Sequence, residues 1–272
     1  MSTSVVLDVL AGERPTPTCV RAPVLLNRPL SDRYRLLRFS APTIAERARA
    51  GQFVMVSPVA ESGPILPRPM AIYTRDAGNG VVDIVYGVVG AGTTALSAVA
   101  VGEAVVVTGP LGRGFTVRDE TERILLIGRG VGICAMTTVA QDLAGRSVRV
   151  AAVLSGRHHA SIIGADVFRA YRADVRRVTD ADGTSGVPVL RERLHRAFDG
   201  DPPQQILTSG SERLTRLTAQ LAARWHAAAQ VSIEAHMACG LGYCHGCAAG
   251  GGDGTHEAPL VCRDGPVFRV RT

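Results

Sequence analysis

The chain of 272 residues contains no lysine. Its formal charge of +6 at pH 7 therefore comes from arginines, and these are spread along the sequence. Aromatic residues are also scarce, at 4% of the composition. A nucleic-acid-binding face is usually a basic patch or stripe with aromatic side chains among the cations. The composition therefore disfavours a nucleic-acid partner.

Long hydrophobic runs are missing as well. The apolar stretches are short and interrupted by glycine or charge, whereas a membrane-spanning helix needs about 20 apolar residues. Residues 1–12 lack the basic start and apolar core of a secretory signal. We therefore expect a cytoplasmic protein that has no membrane partner.

Cysteine is rare, and four of the six cysteines lie in the last 34 residues. Their order is C-x4-C-x2-C, with a fourth cysteine after fourteen more residues. This spacing is typical of the ligands of a plant-type [2Fe–2S] cluster. The predicted ligands are Cys239, Cys244, Cys247 and Cys262.

The residues between these cysteines suit a cluster. Three glycines separate the ligands, namely Gly240, Gly242 and Gly246. Glycine lets a loop curl closely round a small inorganic group and point N–H groups at its sulfurs. A structural zinc site is the alternative, although it usually uses two C-x2-C pairs and only one is present. We expect His245 to face solvent, and Cys19 and Cys134 to be buried.

Residues 18–118 consist of short predicted strands bounded by Gly, Pro and Asp turns. The predicted strands cover residues 20–26, 34–39, 52–57, 71–73, 81–86 and 104–108. Strands at this density predict a closed or nearly closed antiparallel barrel. A helical piece at 92–100 starts with glycine and hydroxyl residues, which suits a helix N-terminus that faces an anion.

After residue 118 the pattern changes to alternating strands and helices. Strands are predicted at 123–128, 148–154, 175–178 and 205–210, and helices at 135–143, 163–171, 189–198 and 211–226. This alternation predicts an α/β nucleotide-binding domain with a parallel sheet. The sequence thus predicts a multidomain protein with an N-terminal extension (1–17), an antiparallel β-barrel (18–118), an α/β domain (119–230) and a small C-terminal cluster domain (231–272).

A glycine pattern follows the first α/β strand. Gly128, Gly130 and Gly132 lie between a predicted strand and a predicted helix, where N–H groups can hold a pyrophosphate. A dinucleotide fingerprint would also place an acid after the next strand, but that strand leads to Arg157, which we expect to face solvent. A tight turn without a ligand therefore remains the alternative.

Two segments of the barrel region suit a flavin. The first is Arg68, Pro69, Met70 and Ala71, in which the arginine can neutralise a phosphate. The second ends in Gly92 and Thr93, whose N–H groups can take a pyrophosphate at a helix start. Ordinary turns remain the alternative. Tyr73 and Tyr86 could stack on the flavin, but single aromatic residues are more often part of a core.

The order of barrel, nucleotide domain and C-terminal cysteine loop resembles the ferredoxin reductase superfamily. Within it, the chain resembles the electron-transfer subunits of class 1B dihydroorotate dehydrogenases. The resemblance covers about residues 21–268 and rests on motifs at 51–56, 68–71, 92–93, 109–112, 128–132, 179–184 and 261–268. It implies FAD at 68–71, at Val85, Tyr86 and Gly87, and at Gly92 and Thr93, and a nicotinamide site that includes Ser209 and Gly210.

The resemblance also implies a function. The chain would be an oxidoreductase subunit of pyrimidine biosynthesis that passes electrons from a partner FMN-containing catalytic subunit through [2Fe–2S] and FAD to NAD+. A heterotetramer of two copies of each subunit is expected. Two alternatives remain: a reductase subunit of a hydrogenase, ferredoxin:NADP or oxygenase system, and a zinc-stapled binding module without catalysis.

The sequence departs from the family pattern at five positions. Ala71 stands where the family usually has a hydroxyl residue near the reactive flavin nitrogen. Ser209 and Ser211 replace a cysteine and a proline beside the nicotinamide, and Arg129 and Cys134 replace small or apolar residues. Ala71 would bear on the flavin potential or on the rate of hydride transfer, and the other four changes would bear on the nicotinamide step.

Overall fold

The computed structural model of the protein describes residues 5–12, 14–59, 66–249 and 258–271. Six antiparallel strands form a closed barrel in the order β2-β3-β6-β5-β4-β7. They are β2 (Thr18–Pro29), β3 (Tyr34–Ser40), β4 (Phe53–Pro58), β5 (Arg68–Asp76), β6 (Val81–Gly87) and β7 (Ala104–Leu111). The predicted barrel is therefore confirmed.

The barrel closes through its longest strand. β2 pairs with β7 over its first half and with β3 over its second, with a bulge between Val24 and Leu26. A bulge bends a strand, so one strand can belong to both sides of the barrel. Ala22 and Val24 point into the core, whereas Cys19 is on the outward face and exposed. The expectation that Cys19 is buried was wrong, because the alternation along β2 outweighs the apolar character of the thiol.

Two helices are inserted between barrel strands. They are α1 (Pro42–Arg47), after β3, and α2 (Ala91–Ala98), after β6. Asn27 of β2 donates hydrogen bonds to the carbonyls of Leu96 (3.0 Å) and Val99 (2.8 Å), which fixes the end of α2 on the barrel. α2 is thereby attached to the barrel, where it contacts β4.

The second domain has the predicted parallel sheet, in the order β10-β9-β8-β11-β12. Its strands are β8 (Arg123–Arg129), β9 (Arg149–Gly156), β10 (Asp174–Thr179), β11 (Gln205–Ser209) and β12 (Ala228–Ser232), and its helices are α3 (Cys134–Asp142), α4 (Ala165–Ala170), α5 (Val187–Phe198) and α6 (Glu212–Trp225). Chain order reverses between β8 and β11, and ligands of open α/β sheets bind at such a point.

The two ends of the chain extend this sheet. β13 (Val267–Val270) pairs antiparallel with β12, and β1 (Leu7–Val9) pairs with β13. Between β12 and β13, one short helix, α7 (Val261–Asp264), carries the last cysteine. β12 spans the predicted boundary at 230/231, so the cysteine segment is joined to the nucleotide domain by strand pairing. The domain limits themselves stay a prediction.

Within the described ranges, no helix combines the length and the apolar character needed to cross a membrane.

Candidate redox site

A cavity of about 290 Å³ opens where the barrel, the nucleotide domain and the cysteine segment meet. Most of the residues predicted for flavin and nicotinamide line it. They are Pro69, Met70, Ala71, Val85, Tyr86, Gly87, Thr93, Gly132 and Ser209. Three distant stretches of sequence thus converge on one largely apolar cavity, as is typical of cofactor sites.

Barrel strands form one wall of the cavity. Phe53 of β4 pairs with Ala71 of β5, and both line the cavity. Tyr86 is 2% exposed and belongs to the barrel core, where its hydroxyl donates to Asn27 Oδ1 at 3.2 Å. Tyr73 is also buried. Tyr86 therefore supports the wall as a core residue, in agreement with the expectation for single aromatic residues.

The start of α2 brings two positive groups together. A Cβ added to Gly92 would lie 2.8 Å from Nη2 of Arg68 and closer still to Nε, so only glycine lets the guanidinium rest there. A helix N-terminus carries a partial positive charge, and a guanidinium beside it is repelled unless an anion lies between or next to them. The pair therefore fits the phosphate groups of a dinucleotide.

Thr93 shapes this turn with its side chain. Its Oγ1 accepts the N–H groups of Val89 (2.9 Å) and Gly90 (3.2 Å) and donates to the carbonyl of Gly90. The hydroxyl is thus committed to the turn. A phosphate would therefore bind to the backbone N–H groups at the helix start.

The glycines after β8 serve different purposes. A Cβ at Gly128 would lie 2.5 Å from Met136 Cε, so this glycine permits α3 to pack on the sheet and is not among the residues that line the cavity. Gly130 has φ +57 and begins a short 3₁₀ turn. Gly132 allows the turn to approach Ser209, whose carbonyl and hydroxyl oxygens would lie 3.0 Å from an added Cβ. Gly132 and Ser209 thereby bring β8 and β11 together at the cavity.

Three other residues that the sequence analysis named do not line the cavity. Gly210 has φ +146 and lies beside Leu214 and Arg129. Arg157 is exposed, as expected. Cys134 is fully buried at the start of α3, also as expected.

The four predicted ligand cysteines are arranged as two pairs. The sulfurs of Cys247 and Cys262 are 3.1 Å apart, and the Cys244 thiol lies within hydrogen-bonding range of Cys239. In the described part of the chain, no group of three or more His, Cys, Asp or Glu side chains is arranged to hold a metal ion. Two pairs of thiols match a cluster of two irons, in which each iron takes two cysteine ligands.

Backbone N–H groups converge on the first cysteine. Burial raises the pKa of the Cys239 thiol, but the N–H groups of Cys244, Leu241 and Tyr243, together with the Cys244 thiol, outweigh this and lower the pKa to about 6. Leu241 N–H lies 3.4 Å from the sulfur. Such donors stabilise a thiolate, the form that binds iron. His245 is exposed, as expected.

The other pair is buried against the barrel. Cys247 and Cys262 are each 2% exposed and pack in one cluster with Phe53, Met55 and other apolar residues. Burial and the Cys247 thiol raise the pKa of Cys262 to about 12. Phe53 lines the cavity as well. Phe53 therefore lines the cavity and belongs to the same apolar group as the two buried cysteines.

Substitution of Gly240 tests how closely the cysteine loop packs against Met55 of the barrel. Gly240 has φ +70, and an added Cβ would lie 2.5 Å from Met55 Cγ. We expect Gly240→Ala to reduce the iron content and to lower the unfolding free energy by about 1–3 kcal/mol, because overpacking adds to backbone strain. Iron assay and thermal unfolding measure both. Gly200→Ala is the control, since it has open space around an added Cβ and lies outside the cysteine segment; equal losses in both variants would contradict this account.

Sequence reasoning missed part of the cavity. Three residues of the segment after β12 line it without belonging to a recognisable motif, namely Ile233, Glu234 and Ala235. Met237, which precedes the first cysteine, and Pro266, within the motif at 261–268, line it too, although neither was predicted as a cavity residue. Their position follows from the pairing of β12 with β13, which the sequence pattern did not predict. The donor set as a whole fits both a flavin dinucleotide and a two-iron cluster.

Comparison with known proteins agrees with this site. Residues 234–272 match the family model described as the iron-sulfur cluster binding domain of dihydroorotate dehydrogenase B. The dihydroorotate dehydrogenase B (NAD(+)) electron transfer subunit of Streptococcus pneumoniae is 32% identical over 235 residues, which are 84% of this chain and 88% of the relative. The subunit of the same name from Geobacillus kaustophilus is 31% identical over 258 residues, 92% of this chain and 96% of the relative.

Solved structures show the same fold. The NADH-dependent reduced ferredoxin-NADP oxidoreductase superposes with a TM-score of 0.75 at 24% identity, over 93% of this chain and 90% of that one. The ferredoxin reductase of carbazole 1,9a-dioxygenase gives a TM-score of 0.63 at 16% identity, over 78% and 67% of the two chains. The resemblance inferred from the motif order is thus confirmed. The chain belongs to the family of dihydroorotate dehydrogenase B (NAD(+)) electron transfer subunits.

Proposed function

We propose that this chain is the electron-transfer subunit of an NAD-linked dihydroorotate dehydrogenase. The observation that carries the proposal is the position of Phe53, which lines the cavity and belongs to the same group of packed apolar side chains as Cys247 and Cys262. A flavin in the cavity and an iron–sulfur cluster on the cysteines would therefore both border this one apolar group. The whole-length identity to electron transfer subunits supports the same function.

The residues divide into three groups. Arg68, Gly92 and Thr93 would hold the phosphates of FAD at the start of α2, with 69–71 and 85–87 along its ring. Cys239, Cys244, Cys247 and Cys262 would hold the [2Fe–2S] cluster. Gly128, Gly130, Gly132, Ser209 and Gly210 would form the NAD(H) site, with Gly128 acting through the packing of α3.

The chemistry requires a flavin because nicotinamide moves two electrons as a hydride, whereas an iron–sulfur cluster moves one. The residues of this chain position the reacting groups and protect them from water. Gly132 and Ser209 bring the nucleotide domain to the edge of the cavity. Ser209 and Phe53 are buried, which limits the access of water to the reacting groups.

The cysteine loop offers a surface for the partner. Leu241 is 39% exposed and Tyr243 84% exposed, and Cys244 is exposed beside them. Exposed aromatic side chains such as Tyr243 are common anchors in interfaces. We place the FMN-containing catalytic subunit on this surface, in a cytoplasmic heterotetramer with two copies of each chain.

Co-expression with an FMN-containing dihydroorotate dehydrogenase catalytic subunit tests the proposal. We expect the two chains to copurify and the complex to reduce NAD+ or NADP+ when dihydroorotate is added. The opposite result would be a chain that copurifies with no such subunit but transfers electrons to or from a hydrogenase, a ferredoxin or an oxygenase. That result would contradict dihydroorotate as the substrate, and the chain would then be a reductase subunit of another system. Spectrophotometry at the nicotinamide absorption band measures the result.

A further inference from the structure

A second cavity, of about 260 Å³, lies at the carboxyl ends of β8, β9 and β10. Two arginines, a carboxylate and three serines line it together with small and apolar residues. The polar lining residues are Arg129, Arg213, Asp180, Ser155, Ser185 and Ser211. Nucleotides of open α/β folds bind at this edge of the sheet. The cavity therefore suits the part of a dinucleotide that is remote from the reacting ring.

Arg129 crosses the floor of this cavity. It ends β8, and its guanidinium donates from Nη1 to Ser155 Oγ at 2.7 Å and from Nη2 to Asp180 Oδ2 at 2.7 Å. Its side chain thus reaches over β9 to the end of β10. A guanidinium has five N–H donors, and these two bonds leave others for a ligand. The family tends to have a small or apolar residue at this position, so the cation is a feature of this chain.

The carboxylate of Asp180 is already engaged. It accepts the Arg129 bond on one oxygen and the Ser185 hydroxyl on the other. The bond from Arg129, followed by that from Ser185, holds the pKa of Asp180 below its ordinary value. Arg213 lies near enough to add to this effect. Two guanidinium groups thus face one carboxylate, which leaves the polar lining with a net positive charge.

The start of α6 adds to the positive potential. α6 has 14 residues, and its N-terminus at Ser211 borders the cavity. The Ser211 hydroxyl makes no capping bond to its own helix. Glu212 is directed to Arg216, at 2.5 Å, and does not line the cavity. The described lining therefore combines a helix N-terminus, two arginines and hydroxyl groups, which together suit a phosphate monoester.

A free acid in such a cavity favours a ribose diol and repels a ribose 2′-phosphate, whereas an arginine accommodates the phosphate. We propose that Arg129, with Arg213, makes this cavity a site for a ribose 2′-phosphate, so that the chain binds NADPH in preference to NADH. The inference rests on the proposed function, because it names the nucleotide of that same site. It goes beyond the relatives, which are named for NAD(+).

Binding of two adenosine nucleotides to the full-length chain tests the proposal without dihydroorotate or a partner. Isothermal titration compares 2′,5′-ADP with 5′-AMP. We expect 2′,5′-ADP to bind about tenfold more tightly, because hydrogen bonds to charged groups contribute at this level. In Arg129→Ala, this ratio should fall towards one. The ratio of kcat/KM for NADPH and NADH with an artificial acceptor should fall in parallel.

Three comparisons keep the test decisive. Arg169→Ala removes an exposed arginine, paired with Asp166 at 3.0 Å on α4, and should leave the ratio unchanged. Arg213→Ala, in the first turn of α6, should lower the ratio if Arg129→Ala fails to fold. A wild-type ratio of one or less, or an equal loss for both nucleotides in Arg129→Ala, would overturn the proposal. Failure of dihydroorotate oxidation with the 2′,5′-ADP preference intact would overturn only the proposed function.

Discussion

Cys244→Ser is expected to abolish electron transfer from the catalytic subunit to nicotinamide. Cys244 is exposed and its partner Cys239 is half-buried, so replacement of Cys244 should spare the buried pair and the barrel core. Even outer-shell changes at metal sites cost roughly 10- to 100-fold, so loss of a ligand should reduce dihydroorotate-dependent NAD+ reduction by at least about a hundredfold. Oxidation of reduced nicotinamide by an artificial acceptor should persist, because it requires only the flavin.

The matched control is Cys19→Ser. Cys19 is also exposed but lies on the outward face of β2, away from the loop. This variant should retain its iron, its visible spectrum and both activities. If Cys244→Ser keeps the transfer from the partner at the wild-type rate, the four cysteines do not carry electrons.

Arg68→Ala is expected to release FAD. The guanidinium lies on Gly92 at the start of α2, where it can bind a phosphate with the help of the helix N-terminus. Hydrogen bonds to charged groups contribute about 1.5–3 kcal/mol, which corresponds to roughly a ten- to hundredfold weaker binding of FAD. Fluorescence titration of the flavin-free chain with FAD measures the dissociation constant.

A second substitution tests the same contact from the other side. Gly92→Ala should also weaken FAD binding, because its Cβ would displace Arg68. The two effects should be much less than additive in the double variant, since both remove one contact. Gly90→Ala is the control in the same turn, because it has open space around an added Cβ and extended backbone. Additive effects, or an equal loss in Gly90→Ala, would contradict a phosphate site at Arg68.

The sequence alone was sufficient for the architecture. Strands at high density bounded by turn residues predict a barrel, and alternation of strands and helices predicts the parallel sheet, because both patterns are local. The four cysteine ligands could also be predicted from the sequence, because their spacing depends more on the cofactor than on the fold. The resemblance to a family then joined these parts in the right order.

Other features depend on contacts between distant segments. β1 and β13 are short strands at the two ends of the chain, and β12 is a five-residue strand, so none has a strong local pattern. Their pairing brings Met237 and Pro266 to the cavity. No local signal in Phe53 distinguishes it from any other core aromatic, although it lines the cavity and belongs to the apolar group that includes Cys247 and Cys262.

The nucleotide site shows the same limit at the level of single side chains. The sequence indicated that Arg129 departs from the family pattern, but not that its guanidinium reaches Asp180 across β9. Likewise, Cys19 is apolar enough for a core, and only the register of β2 with β7 determines that it faces outward. Side-chain direction and tertiary pairing therefore require the folded chain.

We expect this chain to carry a flavin and a two-iron cluster side by side. Anaerobic purification, followed by an absorption spectrum and assays of iron, zinc and flavin, tests it most directly. We predict a brown-yellow protein with about two irons and one FAD per chain and no stoichiometric zinc. A colourless protein with one zinc per chain and no flavin would contradict the account.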